Sequence, residues 1–143
     1  MPESSQGGFL ISRIHHLSGR ILTRKMKEHG LDELNPAQGR ILFVLWQEDN
    51  IPIQELARKT SLGKSTLTSM LDRLEKAGFI KRGAVGSDRR QTLITRTNKD
   101  RRHQAEYDLV SREMTKLFYE GFDSQEIAAF EGYLERILAN LEK

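Results

Sequence analysis

Apolar positions at the start of the chain recur at helical spacing. Leu10, Ile14, Leu17 and Ile21 follow one another at intervals of four, three and four, one face of a helix from Phe9 to His29 with Gly30 as its stop. Asn35-Pro36 supplies an N-cap and a first helical residue. The helix that follows, to about Glu48, holds the longest apolar run, Ile41-Leu42-Phe43-Val44-Leu45-Trp46, and is the expected centre of the core, Trp46 included. Ile51-Pro52 opens a short third helix on which Ile53, Leu56 and Ala57 share a face, ending near Lys59. Thr60-Ser61-Leu62-Gly63 reads as a turn. A fourth helix runs from about Lys64 to Ala77 with the stripe Leu67, Met70, Leu71 and Leu74, and Gly78 ends it.

The period then changes. Phe79-Ile80-Lys81-Arg82 and Gln91-Thr92-Leu93-Ile94-Thr95 are short runs of strand formers, and Gly83-Ala84-Val85-Gly86-Ser87-Asp88 between them has the glycine content of a hairpin loop. Asn98 is the expected cap of a long fifth helix through about Glu120, with Tyr107, Val110, Met114 and Leu117 on one face. Beyond Gly121, the series Ser124, Ile127, Phe130, Leu134, Ile137 and Leu141 predicts a last helix. The pattern predicts a mainly α fold of six helices with a small β wing, a two- to three-stranded antiparallel sheet. A length of 143 residues fits one domain. One small domain cannot bury both long terminal helices as well as its own centre, which favours a homodimer.

Charge sharpens this picture. The total of +3, from 23 basic and 20 acidic side chains, hides its distribution: residues 1–50 sum to 0, residues 51–103 to +8 and residues 104–143 to −5. A basic middle suits a polyanion, although an unevenly solvated surface gives the same sum. The absence of cysteine excludes disulfides, zinc knuckles, thiol nucleophiles and thiol switches. No apolar run approaches a bilayer span, and the N-terminus lacks a basic region followed by an apolar core, so no membrane contact and a cytoplasmic protein are expected. His15, His16, His29 and His103 lack the spacing that sets two imidazoles on one helical face, so no metal is expected. No nucleophile–base pair, phosphate loop or paired-carboxylate site stands out, so neither enzymatic activity nor a cofactor is expected.

Helix, four-residue turn, helix and basic hairpin together form the layout of a winged helix-turn-helix. At 100° per residue, the face of the fourth helix opposite its apolar stripe carries Ser65, Ser69, Asp72 and Lys76, flanked by Thr68 and Arg73. Small hydroxyl side chains let a helix approach a DNA groove closely and bond phosphate or base edges. Lys64, at the positive end of the helix dipole, adds an anion site. Asp88-Arg89-Arg90 follows the hairpin loop, where an arginine can enter a narrow minor groove and a neighbouring carboxylate can orient it. The plainer alternative for the fourth helix is a solvated Ser/Thr-rich face.

Leu34-Asn35-Pro36-Ala37-Gln38, Leu56-Ala57, Lys64-Ser65-Thr66-Leu67-Thr68, Leu71 through Ile80, and Asp88-Arg89-Arg90 resemble, in order and spacing, the pattern of MarR-type transcription regulators. The resemblance implies a homodimer interlocked through the first, fifth and sixth helices, with recognition helices in successive major grooves and wings in adjacent minor grooves. Residues 9–34 and 98–143 would form the dimerisation region, and residues 35–97 the DNA-binding region. Ser65, Thr66, Thr68 and Ser69 match the start of the recognition helix, Asp88 and Arg90 match the wing's Asp-x-Arg around Arg89, and Lys64 and Arg73 match backbone-contact positions. Val85-Gly86 replaces an Asp-Pro, implying a looser wing. Arg96 replaces a leucine and Asp100 a glycine, which leaves the end of the second wing strand open. His15 and His16 are candidates to line a small-molecule effector pocket near the dimer interface. The expected function is a repressor that reads a pseudo-palindromic double-stranded operator; the alternative is a winged-helix module that docks protein.

Overall fold

The structure, a computed structural model, describes residues 4–85 and 88–143, the side chains of 84–85 and 88–91 excepted. The elements follow as α1 (Gly7–Glu28), α2 (Pro36–Gln47), β1 (Ile51–Pro52), α3 (Ile53–Thr60), α4 (Lys64–Lys76), β2 (Ile80–Val85), β3 (Asp88–Arg96), α5 (Asn98–Phe118) and α6 (Ser124–Leu141). Two compact units divide the chain, Met1–Val110 and Ser111–Lys143.

The first unit holds every buried apolar side chain among the described residues. α2 forms where Asn35-Pro36 predicts. Asn35 Oδ1 accepts the Gln38 N–H at 2.8 Å, Gln38 Oε1 accepts the Asn35 N–H at 2.8 Å, and Pro36 opens the first turn. Ile41, Leu42 and Leu45 are fully buried. α3 and α4 bury Leu56, Leu67, Leu71 and Leu74 against them, roughly 1.5–3 kcal/mol for each such side chain. Gly78, at φ +86°, lets the chain reverse after α4, so that the Phe79 N–H donates to the Leu74 carbonyl at 2.9 Å and the Phe79 ring enters the core.

The sheet has the order β1-β3-β2, all antiparallel. Ile51-Pro52 is a strand: Ile51 pairs with Ile94, both fully buried, and α3 starts only at Ile53. The wing strands are also longer than glycine content predicts. Gly83 pairs with Leu93, Ala84 with Thr92 and Val85 with Asp88, so Gly83–Val85 and Asp88–Arg90 belong to strands. A hairpin needs as few as two turn residues, and nothing at Gly83 prevents its pairing. Of the predicted loop, Gly86 and Ser87 lie outside the described residues. Register shifts between Ala84 and Val85, leaving residues 89–91 outside the regular ladder.

The second wing strand ends sharply at Arg96, where two of the unusual residues meet. Arg96 Nε donates to Asp100 Oδ2 at 2.6 Å, and its guanidinium also bonds Gln104 Oε1. The Trp46 indole N–H donates to both Asp100 oxygens at 3.0 and 3.1 Å. Asp100 has no exposed surface, and the Arg96 side chain is only 11% exposed. Trp46 is half-buried, its polar edge spent on this carboxylate and its ring edge-to-face with Tyr107 at 4.7 Å. The cap of α5 is Thr97, whose Oγ1 accepts the Asp100 N–H at 3.3 Å and donates to the Gly78 carbonyl at 2.6 Å, while Asn98 is already helical.

In the second unit, Asp123 and Glu126 cap α6 reciprocally, and Phe118, Tyr119, Phe122 and Phe130 form an aromatic group. The Tyr119 hydroxyl donates to Glu131 at 2.6 Å, which raises its pKa. α6 buries no residue, and Ile137, Leu138 and Leu141 are exposed. The α1 stripe of Leu10, Ile14 and Leu17 is likewise exposed.

Gly39 packs directly beneath Tyr107, and a Cβ there would overlap its hydroxyl and ring. Burial raises the Tyr107 pKa, and Trp46, edge-to-face against it, leaves the ring little room to move. Gly39→Ala should therefore cost about 1–3 kcal/mol, read as a lower urea midpoint at unchanged slope.

Candidate nucleic-acid interface

α3, the turn Ser61–Gly63 and α4 form the helix-turn-helix. Ser61 takes the left-handed conformation at φ 56°, ending α3, and Gly63 precedes α4 without a capping side chain. The first N–H groups of α4 are thus open to an anion. With Leu67, Leu71 and Leu74 turned inward, Lys64, Ser65, Thr66, Thr68, Ser69, Asp72, Arg73, Glu75 and Lys76 are all exposed. Met70 is half-buried, its sulfur accepting from Asn35 Nδ2 at 3.8 Å.

Cations around this face are of two kinds. Arg58 is paired with Glu55, and Lys59 with Glu48 at 2.6 Å. Lys64, Arg73 and Lys76 have no carboxylate partner among the described residues, so their charge is available to a polyanion.

Arg82 of β2 reaches back to α4, bonding Asp72 at 2.6 Å and Glu75 at 3.0 Å, while its backbone N–H donates to Glu75 at 3.1 Å. These bonds hold the Glu75 carboxyl below its ordinary value and raise that of the guanidinium. One side chain therefore ties wing to helix and offsets both acids on a face otherwise suited to phosphate.

On α1 and α2, a cleft of about 500 Å³ is lined by His15, His16, Gly19, Arg20, Thr23, Pro36, Ala37 and Arg40. Two imidazoles and two guanidiniums line it, with no carboxylate among the described lining residues. His16 Nδ1 lies 2.9 Å from the Ser12 carbonyl, and the two imidazoles meet edge-to-face at 5.9 Å.

The profile of the MarR family matches residues 34–92. TtmR, an HTH-type transcriptional regulator of Methylorubrum extorquens (strain PA1), is 34% identical over 97 residues, 68% of this chain and 48% of TtmR. Reduced AbfR bound to DNA is 29% identical with a TM-score of 0.76, covering 96% of this chain and 93% of AbfR. A mutant E. coli MarR complexed with operator DNA is 26% identical with a TM-score of 0.79, covering 92% of each chain. This chain belongs to the MarR family. Its match spans about half the length of TtmR.

On this MarR-family framework the fourth-helix residues singled out in the sequence, from Lys64 to Arg73, are all exposed. Asp88, Arg89 and Arg90 lie at the start of β3, and their side chains are outside the described residues. His15 and His16 do line a cleft, but Arg20 and Arg40 complete it and were not singled out. The signal for Arg20 was its spacing of four from His16 on one helix; Arg40 comes from a separate helix and carried none. Arg82 was likewise read only as part of a strand.

Glu75 gives the Arg82 link a pH signature. Its folded pKa is lowered, so its contribution is complete above the ordinary value near 4.5 and is lost as pH falls through the folded value. The stability difference between wild type and Arg82→Ala should therefore shrink on acidification from about pH 7 to about pH 3, measured by urea unfolding. A difference independent of pH would remove Glu75 from the link.

Proposed function

We propose that this chain is a sequence-specific double-stranded DNA-binding transcriptional regulator acting as a homodimer, most simply as a repressor. The observation that carries the reading is the exposed face of α4, with small hydroxyls between unpaired cations beside a β wing. The DNA-bound states of AbfR and E. coli MarR support it by family kinship. Ser65, Thr66, Thr68 and Ser69 would meet base edges and phosphates in the major groove, with Lys64 and Arg73 on the backbone. Arg90, with Asp88 and Arg89 beside it, would enter the minor groove. Residues 35–97 would read DNA, while 9–34 and 98–143 would pair the subunits, covering the exposed apolar stripes of α1 and α6. A reader of DNA would work in the cytoplasm, and no described helix is long and apolar enough to cross a membrane. The role requires no catalysis.

Protein docking is disfavoured by the same face, since no large apolar side chain of α4 is exposed. The α1–α2 cleft would take a small anionic effector, its charge balanced by Arg20, Arg40 and the imidazoles. Its 500 Å³ falls within the range of small-molecule sites.

Selection from random duplexes should enrich a two-fold-related motif with half-sites about 10 bp apart. Affinity for it should fall roughly 10³–10⁵-fold between about 50 and 200 mM salt. Arg90→Ala should weaken binding about tenfold at unchanged dimerisation. A flat salt dependence with no enriched motif would overturn the reading.

A further inference from the structure

We propose that Arg96 and Asp100 form a positioning pair that fixes the angle of the DNA-reading wing. This rests on the DNA-binding reading above. β3 is a single strand with Asp88-Arg89-Arg90 at one end and Arg96 at the other. At the Arg96 end the guanidinium holds Asp100 and Gln104 of α5, and the backbone N–H donates to Asp49 at 2.9 Å. Asp100 in turn holds Trp46 of α2. Only Thr97 separates the strand from α5.

The pair therefore sits at the root of a lever. Six residue steps of strand from Arg96 to Arg90 span about 20 Å. A tilt of about 10° at the root moves the far end by about 3 Å, as much as a whole hydrogen-bond length. Added stability does not explain such a pair well, because a buried ion pair often contributes no more than apolar side chains of similar volume. Geometry does: a guanidinium whose Nε meets a carboxylate already held by an indole, and whose Nη2 meets Gln104 one turn further along α5, permits one orientation of the strand end.

The test separates fold from positioning in the full-length dimer. Arg96→Leu leaves Asp100 buried without its cation, so stability and operator affinity should both fall. Arg96→Leu/Asp100→Asn removes both charges and keeps an acceptor for Trp46. Its melting temperature should return towards that of wild type while affinity stays about tenfold low. Arg90→Ala should then cost about tenfold in the wild-type background and less than about twofold in the double variant, because the wing is already misplaced. Arg96→Lys, which keeps the charge but not the fork, should fall between the two. Recovery of affinity together with stability, or an equal Arg90→Ala cost in both backgrounds, overturns the positioning role and leaves DNA reading intact. No Arg90→Ala cost in wild type overturns the wing reading and the pair's role together.

Discussion

A carboxylate with no surface in water stays charged only if donors around it replace its hydration. Asp100 meets that condition with two donor groups from two elements, the Trp46 indole of α2 and the Arg96 guanidinium of β3, while its own backbone N–H donates to Thr97 Oγ1 at the start of α5. Each donor is also committed elsewhere. The Trp46 ring lies edge-to-face against Tyr107, which packs onto Gly39, and Arg96 bonds Gln104 and Asp49; Thr97, the acceptor of the Asp100 N–H, closes onto Gly78, where α4 ends. Removing the carboxylate would orphan groups in α2 and the wing at once. Much of the order of the first unit thus follows from keeping one negative charge solvated by protein.

Charge on the outer face obeys a different constraint. A surface for a polyanion needs cations free and acids neutralised. Arg58 and Lys59 are committed to Glu55 and Glu48, whereas Lys64, Arg73 and Lys76 have no carboxylate partner among the described residues. Arg82 offsets Asp72 and Glu75 from the wing side. The +8 of the middle segment therefore overstates what phosphate would meet. Its effective part is the subset without internal partners.

Features decided by local chemistry were legible in the sequence. Asn35-Pro36 with Gln38 specifies a helix start within four residues, and the α4 stripe implies its opposite face, because both depend on helical geometry alone. Features that join distant segments were not. Ile51-Pro52 is too short to announce a strand and becomes one only by meeting Leu93 and Ile94. Gly83 reads as loop until a partner strand pairs with it. Arg96 and Asp100 stand four apart, a spacing that suggests a pair only within one helix, and here a strand ends and a helix begins between them. His15 and His16 were visible as cleft candidates, but Arg40 reaches the same space from another helix.

Trp46 is the only tryptophan in the chain, and its indole nitrogen is bonded to Asp100. Indole emission depends on the polarity and hydrogen bonding at that nitrogen. The junction of α2, the wing and α5 therefore carries its own optical label, with no second indole to obscure it. Fluorescence of the unmodified protein reports the Trp46–Asp100 hydrogen bond, and with it the seating of the wing.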